Sequence, residues 1–553
     1  MIYVVHQSNL KNVARGHKVN FTDQRRSDNP YIASLLFLSV MIINVISGSK
    51  ASAEPLFTTA EHIVHQAQDH KQTEPDLRLL IVSELMGYIE PCGCTIDLKL
   101  GAIDRLDALI RSTRERGPSL LFTVGTHLHD HAEVKPHSLA QEKAKASLVR
   151  SVLRDLKIDA HLSGPNDVAA GASFYHQLQL SHPLPELGPS LLDEQTHPRT
   201  KLIERGGVSI GVIALSEREP KETLDQVIKD GLIELKQRGA SLLIALATIS
   251  RAQVRTLAVA YPDISLWVLG RGAQEESSLS PVEHSDPNLR TYIVEAGDRG
   301  RHLGVVELFG LQKSGALFDP QGERDRELKS LKLKLKMKKR FAKMSVSPMM
   351  KRDLETLTTQ IKTLESSPLH KMVKRVEYRL IPIDDTLPSS AKVKAELERY
   401  QASLTELNMK NASEVKPPPS NGNGYAGIGE CKLCHPDAAT FWEKTKHASA
   451  WETLIKAKKT FDVDCVSCHV TGWQEPGGSA LGHTEKLQDV QCEACHGPAA
   501  KHAEIGGGES YVKLKVPALV CQTCHNHLHS PKFDYESYRA KVIGPGHGAP
   551  ITP

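Results

Sequence analysis

A pentapeptide repeated four times near the end of the chain constrains it most: Cys431-Lys-Leu-Cys434-His435, Cys465-Val-Ser-Cys468-His469, Cys492-Glu-Ala-Cys495-His496 and Cys521-Gln-Thr-Cys524-His525. Eight of the 10 cysteines lie in these units, which span 95 residues. Disulfides or paired zinc ribbons use cysteines but have no need of a histidine directly after each pair. Two cysteines three apart can add to the two vinyl groups along one edge of a porphyrin, and the adjoining histidine then lies beneath the ring to ligate iron. The spacing therefore predicts four covalently attached haem c groups with His435, His469, His496 and His525 as proximal ligands. The tail is poor in apolar residues, so the porphyrins are expected to supply its core.

The sixth ligand separates carrying electrons from binding a substrate, because a second axial histidine closes the iron and an open face leaves it reactive. Ten histidines follow residue 421, and six are not proximal: His447, His483, His502, His527, His529 and His547. His447 falls in a helix expected over Asp437 to Lys458, with Trp451, Leu454 and Ile455 on the same apolar face at i+4, i+7 and i+8. His502 follows Cys495-His496-Gly497-Pro498 closely enough to fold back over a neighbouring haem, and His547 sits between glycines. The loop histidines His483, His527 and His529 could equally be solvated.

From about Gly427 to Gly548 the tail resembles the tetrahaem cytochrome c-552/c-554 family of electron carriers. The resemblance rests on the four motifs in order, on Trp442…Lys446-His447-Ala448…Ala450-Trp451, on Cys492-Glu-Ala-Cys-His-Gly-Pro498, and on the closing histidine. It implies haems stacked in close pairs, three of them bis-histidine and one without a strong sixth ligand. His447, His502 and His547 are then the implied distal set, with the remaining haem open or taken by His483.

Near the start, Ile32 to Ile46 is a fifteen-residue apolar run preceded by Arg25 and Arg26 and followed by Ala51-Ser52-Ala53. This reads as a leader over residues 1–53 that exports the chain to the periplasm, cleaved after Ala53 or retained as an inner-membrane anchor. Residues 54–76 are then a mature N-terminal segment. The 553-residue length implies several domains, and the formal net charge of +4 with 40% hydrophobic residues gives no case for nucleic-acid binding.

Between residues 77 and 323, apolar β-rich runs such as LRLLIVSEL, SLLFTVGTHL, GVSIGVIALS and SLLIALATI alternate with helical periods at Ala102–Arg114 and Ala144–Leu156. Unalternated apolar runs are strands covered on both faces, so an α/β layered sandwich with helices outside the sheets is expected. Residues 324–415 shift to Lys, Leu and Glu, and Leu354, Leu357, Ile361 and Leu364 build one helix face, so two or three helices are expected. The Lys332–Lys336 alternation admits a solvated helix face, an edge strand or a basic face for a partner. The cluster Lys416-Pro-Pro-Pro-Ser-Asn-Gly-Asn-Gly424 breaks any element; residues 416–426 are read as a linker before the tetrahaem domain at 427–553.

The α/β segment resembles the calcineurin-like metallophosphatases and periplasmic 5'-nucleotidases, but the ligands of their dinuclear centre are missing. Glu84 and Met86 stand in the Asp-x-His places, and Gly125-Thr126 stands where Gly-Asp is expected. Gly164-Pro165-Asn166-Asp167 replaces Gly-Asn-His-Glu, Thr248 the lone histidine, and Gly270-Arg271-Gly272-Ala273 Gly-His-x-His. Hydrolysis is therefore not expected. His127, His129 and His131, alternating with Asp130 in the loop after the second strand, read as solvated. Cys92-Gly-Cys94 could form a labile disulfide, bind a soft metal, accept electrons from a haem, or be an inert disulfide.

Taken together, these features imply an exported multihaem carrier whose partners are redox proteins, on the quinol side or other cytochromes, with membrane contact only through an uncleaved leader. A multihaem oxidoreductase acting on a small nitrogen or sulfur compound at an open haem is the first alternative, and a nucleotidase fused to a cytochrome is the second. Expression in a strain lacking haem-attachment machinery should leave the tail unfolded and protease-sensitive; a compact, protease-resistant haem-free tail would contradict this.

Overall fold

The structure, a computed structural model, describes residues 74–91, 100–192, 197–270, 279–282, 289–342, 347–367, 374–412, 414–420, 422–526, 529–530 and 532–547. The expected leader, most of the segment 54–76, Cys92, Cys94, Arg271 to Ala273, and His527 lie outside these residues.

The strands are β1 (Leu77–Ser83), β2 (Ser119–Gly125), β3 (Ala160–Ser163), β4 (Thr200–Arg205), β5 (Val208–Leu215), β6 (Leu242–Ala247), β7 (Leu266–Leu269), β8 (Leu279–Val282), β9 (Thr291–Glu295), β10 (His302–Phe309) and β11 (Arg375–Pro382). They form two sheets, ordered β11-β10-β1-β2-β3 and β4-β5-β6-β7-β9-β8. Pairing is parallel through β1–β2–β3 in one and β5–β6–β7–β9 in the other; β10 and β11 add antiparallel on one side of the first sheet, and β4 and β8 are antiparallel at the two edges of the second.

Every residue of β1 and β2 is buried, and their alternation sorts them to two different cores. Leu77, Leu79, Ile81, Leu120, Phe122 and Val124 meet Ile210, Val212, Ile244, Leu246 and Val268 of the other sheet. Leu80, Val82 and Leu121 point the other way, onto helices α1 (Ile103–Arg114) and α2 (Leu139–Asp155). Behind the second sheet, Ile213, Leu215 and Trp267 pack on α4 (Lys221–Gln237) and α5 (Arg251–Ala260), while α3 (Ala172–Ser181) joins the first helical layer. This is the expected layered α/β sandwich. The one charged side chain buried within β1, Arg78, is held by Glu307 at 2.9 Å and Glu74 at 2.7 Å.

The segment read as helical is more mixed. Helices α6 (Pro320–Ala342) and α7 (Pro348–Ser366) form a hairpin, but residues 375–382 are β11, which extends the first sheet by pairing with β10 over the full strand. Helix α8 (Ala391–Lys410) buries Val393 and Leu397 in the core of α1 and α2. The strand itself lacks the lysines of the helices around it: Val376 and Tyr378 seat on the inter-sheet core while Arg375, Glu377 and Arg379 alternate with them.

The tail is joined to α2 by buried polar contacts rather than by an apolar seam. Gln141 donates to Asp462 Oδ1 (2.7 Å) and accepts from Asn408 Nδ2 (2.7 Å) and from the Val463 N–H (3.1 Å); Asn408 also donates to the Phe461 carbonyl (2.7 Å). Lys145 pairs with Asp464 at 2.9 Å, and Lys459 pairs with Glu90. Gln141 is fully buried, so replacing it strands three polar partners at once. Gln141→Leu should lower the stability of the holoprotein by about 2–4 kcal/mol in denaturant titration; an unchanged midpoint would show that the contact is not structural.

Candidate haem-binding site

Each motif lies on a short helical turn, which puts the two cysteines and the histidine along one side. The first follows Gly427, whose φ of 86° starts the helix Ile428–Cys434. That start is clamped by the third motif: the buried Glu493 carboxylate accepts the backbone N–H groups of Ala426 (2.8 Å), Gly427 (2.7 Å) and Ala499 (2.8 Å), and Gln491 accepts that of Ile428 (2.7 Å). Motifs one and three are thereby set side by side, with the Cys431 and Cys492 sulfurs close to each other. In the same way Cys468 of the second motif meets Cys524 of the fourth. Glu493 was not singled out in the sequence; its only signal there is an acid between two cysteines.

Three of the four motif histidines are oriented by bonds to Nδ1, which leave the Nε2 lone pair for a metal. Nδ1–H of His469 donates to the Ala450 carbonyl at 2.6 Å and that of His496 to the Lys513 carbonyl at 2.7 Å, and His525 Nδ1 is hydrogen-bonded to the Ser530 hydroxyl at 2.9 Å. The His525 ring also stacks on Phe533, with centroids 5.1 Å apart and planes at 7°. Outside the motifs, His502 Nδ1–H donates to the Gly508 carbonyl at 3.2 Å, so this ring is presented in the same manner.

Two pairs of rings face each other. His435 and His502 are nearly parallel (17°) with centroids 6.3 Å apart, and His447 and His525 have centroids 6.2 Å apart at 38°. Imidazoles on opposite sides of one metal, each with a metal–nitrogen bond of about 2.0–2.1 Å, have ring centres roughly 6 Å apart. The centroid separation of each pair is therefore that of two ligands to one metal. Burial pushes the pKa of both His447 and His525 down, favouring the neutral, ligating form.

Around His447 the chain is not the single helix expected over 437–458. Helix Pro436–Trp442 ends, a 3-10 turn Lys446–Ser449 carries His447, and a second helix runs Ala450–Ala457. The break turns His447 inward, held by Val490 N–H donating to its carbonyl (3.1 Å) and by Trp442 Nε1–H donating to the Val490 carbonyl (2.8 Å). His547 is exposed and its ring meets Phe441 edge-on at 6.5 Å, beside the helix after the first motif. His483 is exposed in the turn Ala480–His483. His529 lies on the α/β side, near Asp130, Arg299 and Asp464.

At the ends of β1 and β2 the structure corrects one expectation. His127 and His129 are both 1% exposed, not solvated, and only His131 is exposed. The backbone turns their loop inward: Asp167 accepts the N–H groups of His127 (2.7 Å) and Leu128 (2.8 Å). The carboxylate at the old Gly-Asn-His-Glu position is therefore occupied in capping backbone. Close packing fills the remainder of this end, for a Cβ added at Gly125 would lie 2.5 Å from the Gly270 carbonyl and 1.8 Å from the Glu84 carboxylate. Among the described residues no group of three or more His, Cys, Asp or Glu could hold a metal ion.

The motifs, the Nδ1-oriented histidines and the facing imidazoles define the tail as a c-type cytochrome module with covalently bound haem c. Residues 430–497 match the family described as cytochrome c554 and c-prime. Cytochrome c-554 of Nitrosomonas europaea is 38% identical over 90 residues, a match covering 13% of this chain and 38% of that protein; the similarity spans well under half the relative's length. Among solved structures, the chain is similar to the sulfate thiohydrolase SoxB of Thermus thermophilus (TM-score 0.41, 14% identity, 61% of this chain and 62% of that one). It is similar also to a 5'-nucleotidase precursor of the same organism (TM-score 0.39, 14% identity, 60% and 59%).

Proposed function

We propose that this protein is an exported tetrahaem c-type cytochrome that transfers electrons between redox partners, and that its α/β domain is a non-hydrolytic docking or redox module. The observation that carries this reading is two pairs of imidazoles, each at the separation that two ligands of one metal require. Cys431 and Cys434, Cys465 and Cys468, Cys492 and Cys495, and Cys521 and Cys524 attach the four haems, with His435, His469, His496 and His525 as proximal ligands. His502 completes the iron of the first motif and His447 that of the fourth. His547 is a further distal candidate, and the remaining haem is open or closed by His483. When bound, haem supplies a reversible one-electron couple at iron.

The chain's own residues bind and orient the haems and dock partners. Nδ1 hydrogen bonds to Ala450, Lys513 and Ser530 fix the rings and raise their basicity. Residues 1–53 act as the leader and 427–553 as the haem domain; other cytochromes or a quinol-side protein are the partners, and Cys92/Cys94 a redox pair. Among the described residues no helix is long and apolar enough to cross a membrane.

His447→Ala and His502→Ala should each convert one low-spin haem to a high-spin, ligand-accessible one, read by optical and magnetic spectroscopy with the haem count unchanged. A low-spin complement identical to wild type in both variants would refute the assignment. Phosphatase and nucleotidase assays with added divalent metal should give no turnover, and metal-dependent turnover would restore the hydrolase alternative.

A further inference from the structure

The α6–α7 hairpin lies outside the haem-binding tail and carries an exposed basic and apolar surface. Of the 25 residues from Leu328 to Arg352, ten are Lys or Arg and none is Asp or Glu. Helix α6 is secured to α7 by Lys332–Glu365 (2.7 Å) and Lys338–Asp353. On its other side Leu333, Met337 and Phe341 are 58%, 53% and 59% exposed, and Met349 at the start of α7 is 74% exposed. At 100° per residue the three α6 side chains fall within an arc of about 80° and span about 12 Å. Exposed Lys334, Lys336 and Arg340 flank them. The hairpin is therefore amphipathic twice over, with one apolar face spent on α7 and a second facing outward inside a ring of cations.

A solvated helix has no use for three large apolar side chains in register. An acidic protein surface would match the cations but leave this stripe in contact with carboxylates. An anionic lipid surface matches both: headgroup phosphates meet the lysines and arginines, whose stems reach outward while Leu333, Met337 and Phe341 enter the acyl boundary. We propose that the α6–α7 hairpin is an interfacial anchor that docks the protein on an anionic phospholipid membrane. It lies on the surface and does not span it.

The test is co-sedimentation of the full-length holoprotein with vesicles of phosphatidylcholine alone or mixed with phosphatidylglycerol. Binding should require the anionic lipid and fall as salt is raised to about 0.5 M. The triple variant L333Q/M337Q/F341Q, which keeps good helix formers at exposed positions, should weaken binding roughly tenfold or more with the haem spectrum unchanged. K334E/K336E should weaken it as well. Any leader is the same in all forms, so the difference reads the hairpin. Absence of binding to anionic vesicles, or equal binding by wild type and the triple variant, would overturn the proposal and leave the face to an acidic protein.

Discussion

The tail buries few apolar side chains against one another. Its cluster of buried apolar residues is Leu454, Val463, Val466, Val470 and Leu481, too few to offset the ordering of more than a hundred residues. Covalent porphyrins change this balance, since each brings a large apolar surface that is tied to the chain and cannot be lost by dilution. The polypeptide is then required mainly to hold histidines in register. Short helices, the Glu493 clamp and the Nδ1 bonds do this with few residues.

The join between the two halves of the molecule is made through the buried polar groups Gln141, Asn408 and Asp462 and the charged pairs Lys145–Asp464 and Lys459–Glu90. These contacts meet the chain immediately before Cys465, so the second motif is the one positioned by the α/β domain. Glu90 lies two residues before Cys92 in the chain.

Much of this was legible in the sequence where chemistry or periodicity is local. The motifs fix their attachment sites by spacing alone, and fully buried runs such as LRLLIVS mark central strands because a two-sided environment removes polar alternation. The strand at 375–382 is hidden by the Lys- and Leu-rich helices that precede and follow it, although its own alternation of Val376 and Tyr378 with Arg and Glu is a strand pattern that pairing with β10 completes. The burial of His127 and His129 depends on Asp167, some forty residues away, capping their backbone. Distal candidates could be named one by one, whereas the facing of His447 to His525 and His502 to His435 is a tertiary fact. The break that turns His447 inward likewise rests on the distant Val490 backbone.

The central claim is that facing histidines close irons in a chain that carries four haems. It is tested most directly on the purified holoprotein by intact mass together with spin quantitation by electron paramagnetic resonance. Four covalent haems per chain, with at least three low-spin bis-histidine signals, are expected. Fewer than four haems, or a population dominated by high-spin iron, would contradict the account.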